Sequence, residues 1–275
     1  MLRSMYAGVS GMKGFQTKLD VIGNNISNVN TIGYKKSTIN FQDLLSQNLS
    51  SSGVNPMQVG LGSTTSAINV VHTPGSFMTT GVGTDLAVIG DGFFVVQNPT
   101  ANGTAGQYLT RAGNFVVEAD GDLVTTQGYN VLDNDGDKIN VNTFATTTGT
   151  PPVPTILTFD SFTINRLGEV IGKEANGDET KITDIGIAQP QNPAGLSKFG
   201  GSLYELNSKA DPNTMAQLLA APKTFEIATG MLEMSNVDLT EEFTEMIIAQ
   251  RGFQANSRII TTSDEILQEV VNLKR

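Results

Sequence analysis

Residues 238–273 read DLTEEFTEMIIAQRGFQANSRIITTSDEILQEVVNL. Taking Leu239, Phe243, Met246, Gln250, Phe253, Ser257, Ile260, Asp264, Leu267 and Val271 in turn, the steps alternate between four and three residues. That is the 3.5-residue period of a helix that supercoils against a partner. The three polar exceptions, Gln250, Ser257 and Asp264, lie seven apart and so share one line of the helix. Such a line suits a helix that touches several neighbours or shifts between registers. A broad amphipathic helix packed on its own domain gives the same period. Asp238 and Glu241 have the spacing of a capping box, and Glu242 adds a second acid to the first turn. A helix from there to about Leu273 would be ~50 Å long, which is long for a compact domain.

A weaker stripe opens the chain. Leu2, Met5, Val9, Met12, Phe15, Leu19, Ile22, Ile26 and Val29 are spaced three or four apart. The period predicts helix, but the composition opposes it. Gly8, Gly11, Gly14 and Gly23 each cost ~1 kcal/mol against Ala, and Asn24, Asn25 and Asn28 about half that apiece. Such a helix is expected to fray until a partner surface covers it. The glycines also permit close helix-to-helix approach, and Gly33 is placed to cap the helix before Tyr34-Lys35-Lys36. Neither stripe can bury itself alone; their natural partners are each other or other copies of the chain.

Between the stripes the pattern is β. Residues 36–73 read as a connector with extended segments, and 74–231 as a mainly-β domain, with 1–35 and 232–275 forming a helical domain. Leu86–Ile89 and Phe93–Val96 flank Gly90-Asp91-Gly92, a hairpin-like turn; Tyr108–Arg111 and Asn114–Val117 flank Ala112-Gly113. Asp120-Gly121-Asp122, Asp135-Gly136-Asp137 and Asn176-Gly177-Asp178 repeat the turn chemistry. Further strands are expected near 156–164 and 182–188, a surface excursion over 144–157, and a short helix from Met215 to Ala221. The expected class is α+β: paired terminal helices resembling a coiled coil, and a central sandwich or barrel.

The 275 residues include one to three domains' worth of core. A net charge of −10, with no basic face beyond Lys35-Lys36, argues against nucleic-acid binding. Cysteine is absent, so disulfides and thiolate chemistry are excluded. Arg3 is followed by no apolar run of a cleavable signal peptide, and no run approaches the ~18 residues of a membrane span. His72 is the sole histidine, which excludes a two-histidine zinc motif. No nucleophile elbow, phosphate loop or dinucleotide fingerprint occurs. Asp133, Asp135 and Asp137 have calcium-loop spacing, but Lys138 and Phe144 stand where that loop needs Gly and Glu, so a turn is the better reading. No catalytic residue, metal ligand or cofactor is expected, and the chain does not read as an enzyme. A secreted β-domain that binds glycans or a surface is an alternative, but five Tyr and no Trp make a poor aromatic platform.

Leu19-Asp20-Val21-Ile22-Gly23-Asn24-Asn25-Ile26-Ser27-Asn28-Val29-Asn30-Thr31-Ile32-Gly33-Tyr34-Lys35 resembles the N-terminal signature of bacterial flagellar axial proteins, the rod and hook family. The resemblance extends to Leu86–Val96, to Thr110-Arg111-Ala112-Gly113-Asn114-Phe115, to Glu233–Leu239 and to Ala249-Gln250-Arg251-Gly252-Phe253-Gln254. Val237–Glu242 and Val271–Arg275 lean to a short hook subunit, with a distal rod subunit second. Many hook proteins, however, carry an outer domain for which this chain is too short. The resemblance implies a helical tube of many copies whose paired termini line an export channel, with the stripe residues as contacts. It implies a hook acting as a universal joint that passes motor torque to the filament. It also implies neighbours among the distal rod, hook cap and hook–filament junction, and leaderless export through the flagellar type III apparatus.

Overall fold

A computed structural model describes residues 2–50, 57–100, 106–148, 153–159, 161–174, 178–220 and 225–273. Among the described residues there are three α-helices: α1 (Leu2–Ser27), the short α2 (Met215–Leu219) and α3 (Leu239–Leu273). The chain divides into a helical unit of residues 1–29, 35–71 and 237–275 and a β unit of residues 30–34 and 72–236.

In the helical unit α1 is continuous despite its glycines, because packing rather than propensity holds it. It ends at Ser27, where the Asn28 side chain donates to the Asn24 carbonyl at 2.9 Å. Gly33 is therefore not its cap. At φ +67° Gly33 lies in the β unit, where an added Cβ would stand 2.6 Å from the Ala112 nitrogen, and its own N–H bonds to the Glu233 carbonyl. The start of α3 follows the expected capping: Asp238 accepts from the N–H of Thr240 at 2.8 Å and of Glu241 at 3.3 Å. The Glu241 side chain departs from the capping box and pairs with Lys36 at 2.8 Å. Strands Ser37–Asp43 and Ser63–Val70 form an antiparallel ribbon, bulged between Asn40 and Phe41, which packs on α1. A Cβ at Gly62 would lie 3.3 Å from the Ala7 Cα, one at Gly14 would lie 2.9 Å from the Phe41 ring, and Ser10 Oγ donates to the Ser63 carbonyl. Within the 36–73 connector the extended segments thus include paired strands that pack on α1.

The β unit is mainly strand, as its turn-rich pattern predicts. Its largest sheet has eight strands, with Phe93–Gln97 at the centre between Gln107–Thr110 and Asn130–Val131 and also paired to Ile187–Ala188. One core joins Phe94, Val96 and Val131 of this sheet to Ile164, Val170 and Ile182 of a three-stranded sheet and to Val88 and Ile227.

Two expected hairpins are not formed. Leu86–Ile89 pairs with Glu226–Thr229, not with Phe93–Gln97, and Gln107–Thr110 pairs with Phe93–Gln97 and Leu203–Glu205, not with Phe115–Val117. Gly113 explains the second case. An added Cβ there would overlap the Leu86 carbonyl oxygen at 1.7 Å, so this segment is a close crossing rather than a turn. The turn at Gly121, φ +86°, does join Phe115–Val117 to Leu123–Thr125, and the one at Gly136, φ +90°, closes under Asp133. Asn176 and Gly177 lie outside the described residues, as does Ala221 beyond α2. The excursion expected over 144–157 contains an antiparallel ribbon, Thr143–Thr148 with Val153–Thr158.

Candidate assembly surface

α1 and α3 run antiparallel. Gly8 lies against Ile260 and the Asn256 backbone, Gly11 against Asn256, Phe15 against Gly252, Lys18 against Glu245 and Asn25 against Glu242. A Cβ on Gly11 would stand 2.7 Å from Asn256 Nδ2, and one on Gly252 would stand 2.5 Å from the Phe15 ring. At Gly11 and at Gly252 each helix therefore receives a side chain of the other. Of the four glycines in α1, Gly8 and Gly11 serve this approach, Gly14 admits Phe41, and Gly23 has nothing within 4 Å of an added Cβ.

On α3 the residues turned inward are Glu242, Ala249 and Ser263, which are buried, and Asn256, which is half-buried. They are spaced seven apart. The seam is thus one residue out of phase with four of the ten expected stripe positions: Phe243, Gln250, Ser257 and Asp264 each follow a seam residue. Phe243, Gln250 and Asp264 are exposed and Ser257 half-buried; Leu239, Phe253 and Val271 are exposed; Met246, Ile260 and Leu267 are half-buried. On α1, Ile22 is buried, Met5, Met12, Phe15, Leu19 and Ile26 are half-buried, and Val9 is exposed. Val29 is half-buried beyond the helix end, and the side chain of Leu2 lies outside the described residues. Sequence reasoning missed the seam because hydrophobicity does not mark Gly, Ala, Ser and Asn. The sevenfold recurrence of Glu242, Ala249, Asn256 and Ser263 was the available signal.

Polar contacts fix the base of the helix pair. Asn25 Nδ2 donates to the Ser37 carbonyl at 2.9 Å and to Glu242 Oε2 at 3.2 Å, while Ser37 N–H donates back to Asn25 Oδ1 at 3.0 Å. With Lys18–Glu245 and Lys36–Glu241, these set the register of α1, the ribbon and α3.

The consequence is an apolar surface facing outward. Ile247 is 59% exposed, Ile248 52%, Ile266 49% and Val271 65%. Gly8 meeting Ile260 and Asn25 meeting Glu242 place the start of α1 near residue 266, so the last two turns of α3 run past it. These exposed apolar side chains make α3 a candidate interaction surface.

The candidate chemistry has structural surroundings. His72 lies edge-on to Phe93 at 5.6 Å and to Tyr204 at 5.5 Å, an aromatic cluster in the β unit. Burial pushes the Tyr204 hydroxyl well above its ordinary pKa. Asp133 accepts from the N–H groups of Asp135 and Asp137 and from Thr183, as a turn-forming aspartate does. Among the described residues no group of acids and histidine is arranged to hold a metal, and no helix is long and apolar enough to cross a membrane.

Comparison with known proteins gives matches along the chain. Residues 5–35 match the family described as flagella basal body rod protein, residues 87–172 the flagellar hook protein FlgE/F/G D1 domain, and residues 228–273 the flagellar basal body rod FlgEFG protein C-terminal. The chain is 47% identical over 283 residues to the flagellar basal-body rod protein FlgG of Bacillus subtilis, covering all of both. It is 36% identical to the FlgG of Agrobacterium fabrum over 99% of this chain and 100% of that one. To the flagellar hook protein FlgE of Borreliella burgdorferi it is 27% identical, with both chains fully covered but over 449 aligned residues. All three relatives bear the names of structural parts, and none that of an enzyme.

Proposed function

Because the chain belongs to the flagellar rod/hook family of axial structural proteins, we propose that it is a subunit of the distal rod of the flagellar basal body. The observation that carries this reading is length. The chain aligns end to end with rod proteins over 283 and 285 residues, whereas the hook relative needs 449. The sequence motifs favoured the hook first and the distal rod second; the end-to-end identity reverses that order. The hook is retained as second reading on the strength of the full-coverage match to the hook relative.

The exposed apolar members of the two stripes, Val9, Leu239, Phe243, Phe253 and Val271, supply the contacts between copies in a helical tube around the export channel. The outward side chains of α3 support this, since water leaves them uncovered in a single chain. Neighbouring axial proteins then continue the tube, and the type III apparatus delivers the subunit. Gln250, Ser257 and Asp264 lie just off the seam, where a contact with the next copy could slide.

Localisation in purified flagella tests the choice of part. Labelled subunits within the envelope-embedded basal body are expected; label confined to the external, curved segment would overturn the rod reading. Hydrogen exchange tests the assembly role. Amides of residues 2–29 should be more strongly protected in the tube than in the monomer, and equal protection in both would contradict it.

A further inference from the structure

Charge is divided unevenly between the two units. The nine basic and nine acidic residues of the helical unit balance, so the β unit, with eight basic and 18 acidic residues, carries the entire net charge of −10. Two β units brought side by side repel one another. The longest run in the β unit without Asp, Glu, Lys or Arg is residues 139–159.

That run contains the ribbon of Thr143–Thr148 and Val153–Thr158, registered from Thr143↔Thr158 to Thr148↔Val153. Among the described residues neither strand pairs with any other strand. Each strand of such a ribbon has one edge whose N–H and C=O groups lack a ladder partner. Proteins guard such edges with Lys, Pro, charge or a bulge. Val153–Thr158 carries Pro154. Thr143–Thr148 has no Pro, no charge and no register shift, and its four threonines favour extended backbone. A two-stranded ribbon is marginal in water, and a third strand would stabilise it.

We propose that the open edge of Thr143–Thr148 is a docking strand that takes a strand from the β unit of a second copy of this chain. This rests on the rod-subunit reading above. Charge selects the occupant: in a polymer of units that each carry −10, copies approach with least repulsion at an uncharged edge. Backbone hydrogen bonds then supply a directional contact. The helical units hold the copies together, and this edge fixes the spacing of their β units.

The test uses the full chain as monomer and as tube. Amides of residues 143–148 are expected to exchange at least about tenfold more slowly after assembly, as ladder bonds require. The variant T146D/T148D should raise the protein concentration needed for tubes by about tenfold or more, through like-charge repulsion, with monomer melting unchanged. T126D, at an exposed threonine elsewhere in the β unit, should shift it by less than about threefold. Equal exchange in monomer and tube, or assembly of T146D/T148D at the wild-type concentration, overturns the proposal while leaving the rod reading intact. Should that variant melt early, exchange on the wild-type chain decides alone. A wild-type chain that forms no tubes under any condition overturns both.

Discussion

The interior of the β unit is filled by Leu86, Val88, Phe94, Val96, Phe115, Ile185 and Ile227, all essentially inaccessible to water. Between α1 and α3 the helices approach over small residues such as Gly8, Gly11 and Gly252, which receive Ile260, Asn256 and Phe15, while Ile247, Ile248 and Ile266 point outward. The β unit buries most of its large apolar side chains, with Leu167 and Phe199 among those left exposed. The helical unit brings two backbones close over small residues and leaves more of its large apolar side chains exposed. The lesson is that burial within a chain and burial between chains can be assigned to different units by the size of the residues at each seam.

The largest expected effect probes the self-sufficient unit. Arg111 is buried with Glu233 at 3.3 Å, lies 5.0 Å from the Phe93 ring centre, and donates to the Gly90 carbonyl at 2.8 Å. Glu233→Ala would leave a buried guanidinium unmatched and should cost about 3–5 kcal/mol, read from urea unfolding of the β unit by tyrosine fluorescence. A loss under about 1 kcal/mol, the level of an exposed pair, would mean that the β interior tolerates charge as the helical seam does.

Gly252→Leu comes next. Its side chain must displace the Phe15 ring, and a loss of about 1–3 kcal/mol of helical-unit stability is expected. Gly23→Ala should act oppositely and stabilise α1 by up to about 1 kcal/mol, since nothing approaches an added Cβ. Equal effects of the two in thermal melts would dissolve the distinction between seam glycines and free ones. Smaller still is the monomer response to Ile247→Ser with Ile248→Ser, within about 0.5 kcal/mol for exposed positions. The same variant should fail to assemble, and sedimentation that finds normal tubes would remove the outward face from the account.

The smallest effect is at Asp238. Hydrogen bonds from the N–H groups of Thr240 and Glu241 hold its pKa below the ordinary 3.8. A depressed carboxyl stabilises the folded state above its ordinary pKa and loses that contribution as pH falls through the lower folded value. The first turn of α3 should therefore loosen only in acid below about that value and stay unchanged at neutral pH. A D238N chain whose helical signal follows the same acid profile would place the effect elsewhere.

Local features were legible and distant ones were not. The start of α3 was readable because a cap is a matter of adjacent residues, and the turns at Gly121 and Gly136 for the same reason. The pairing of Leu86–Ile89 with Glu226–Thr229 was not, because strand patterns name a face and not a partner. Gly90-Asp91-Gly92 had hairpin chemistry, but both flanking strands were claimed by more distant ones. The stripe on α3 was legible as a surface, and its phase against α1 was not. Apolar period marks what avoids water, whereas the closest contact is made by the residues small enough to permit it.

The antiparallel pairing of α1 with α3 also orders events in time. A chain made from its N-terminus has α1 before the strands of the β unit and α3 after them. The β unit finds its strands among residues 72–236 and can close before α3 exists. The helix pair, which joins elements far apart in the sequence, then cannot form until α3 has been made, and the closed β unit takes the place of most of the loop between them. A subunit released before that step would be a folded β unit with two loose ends, ready to be completed wherever another copy offers a surface.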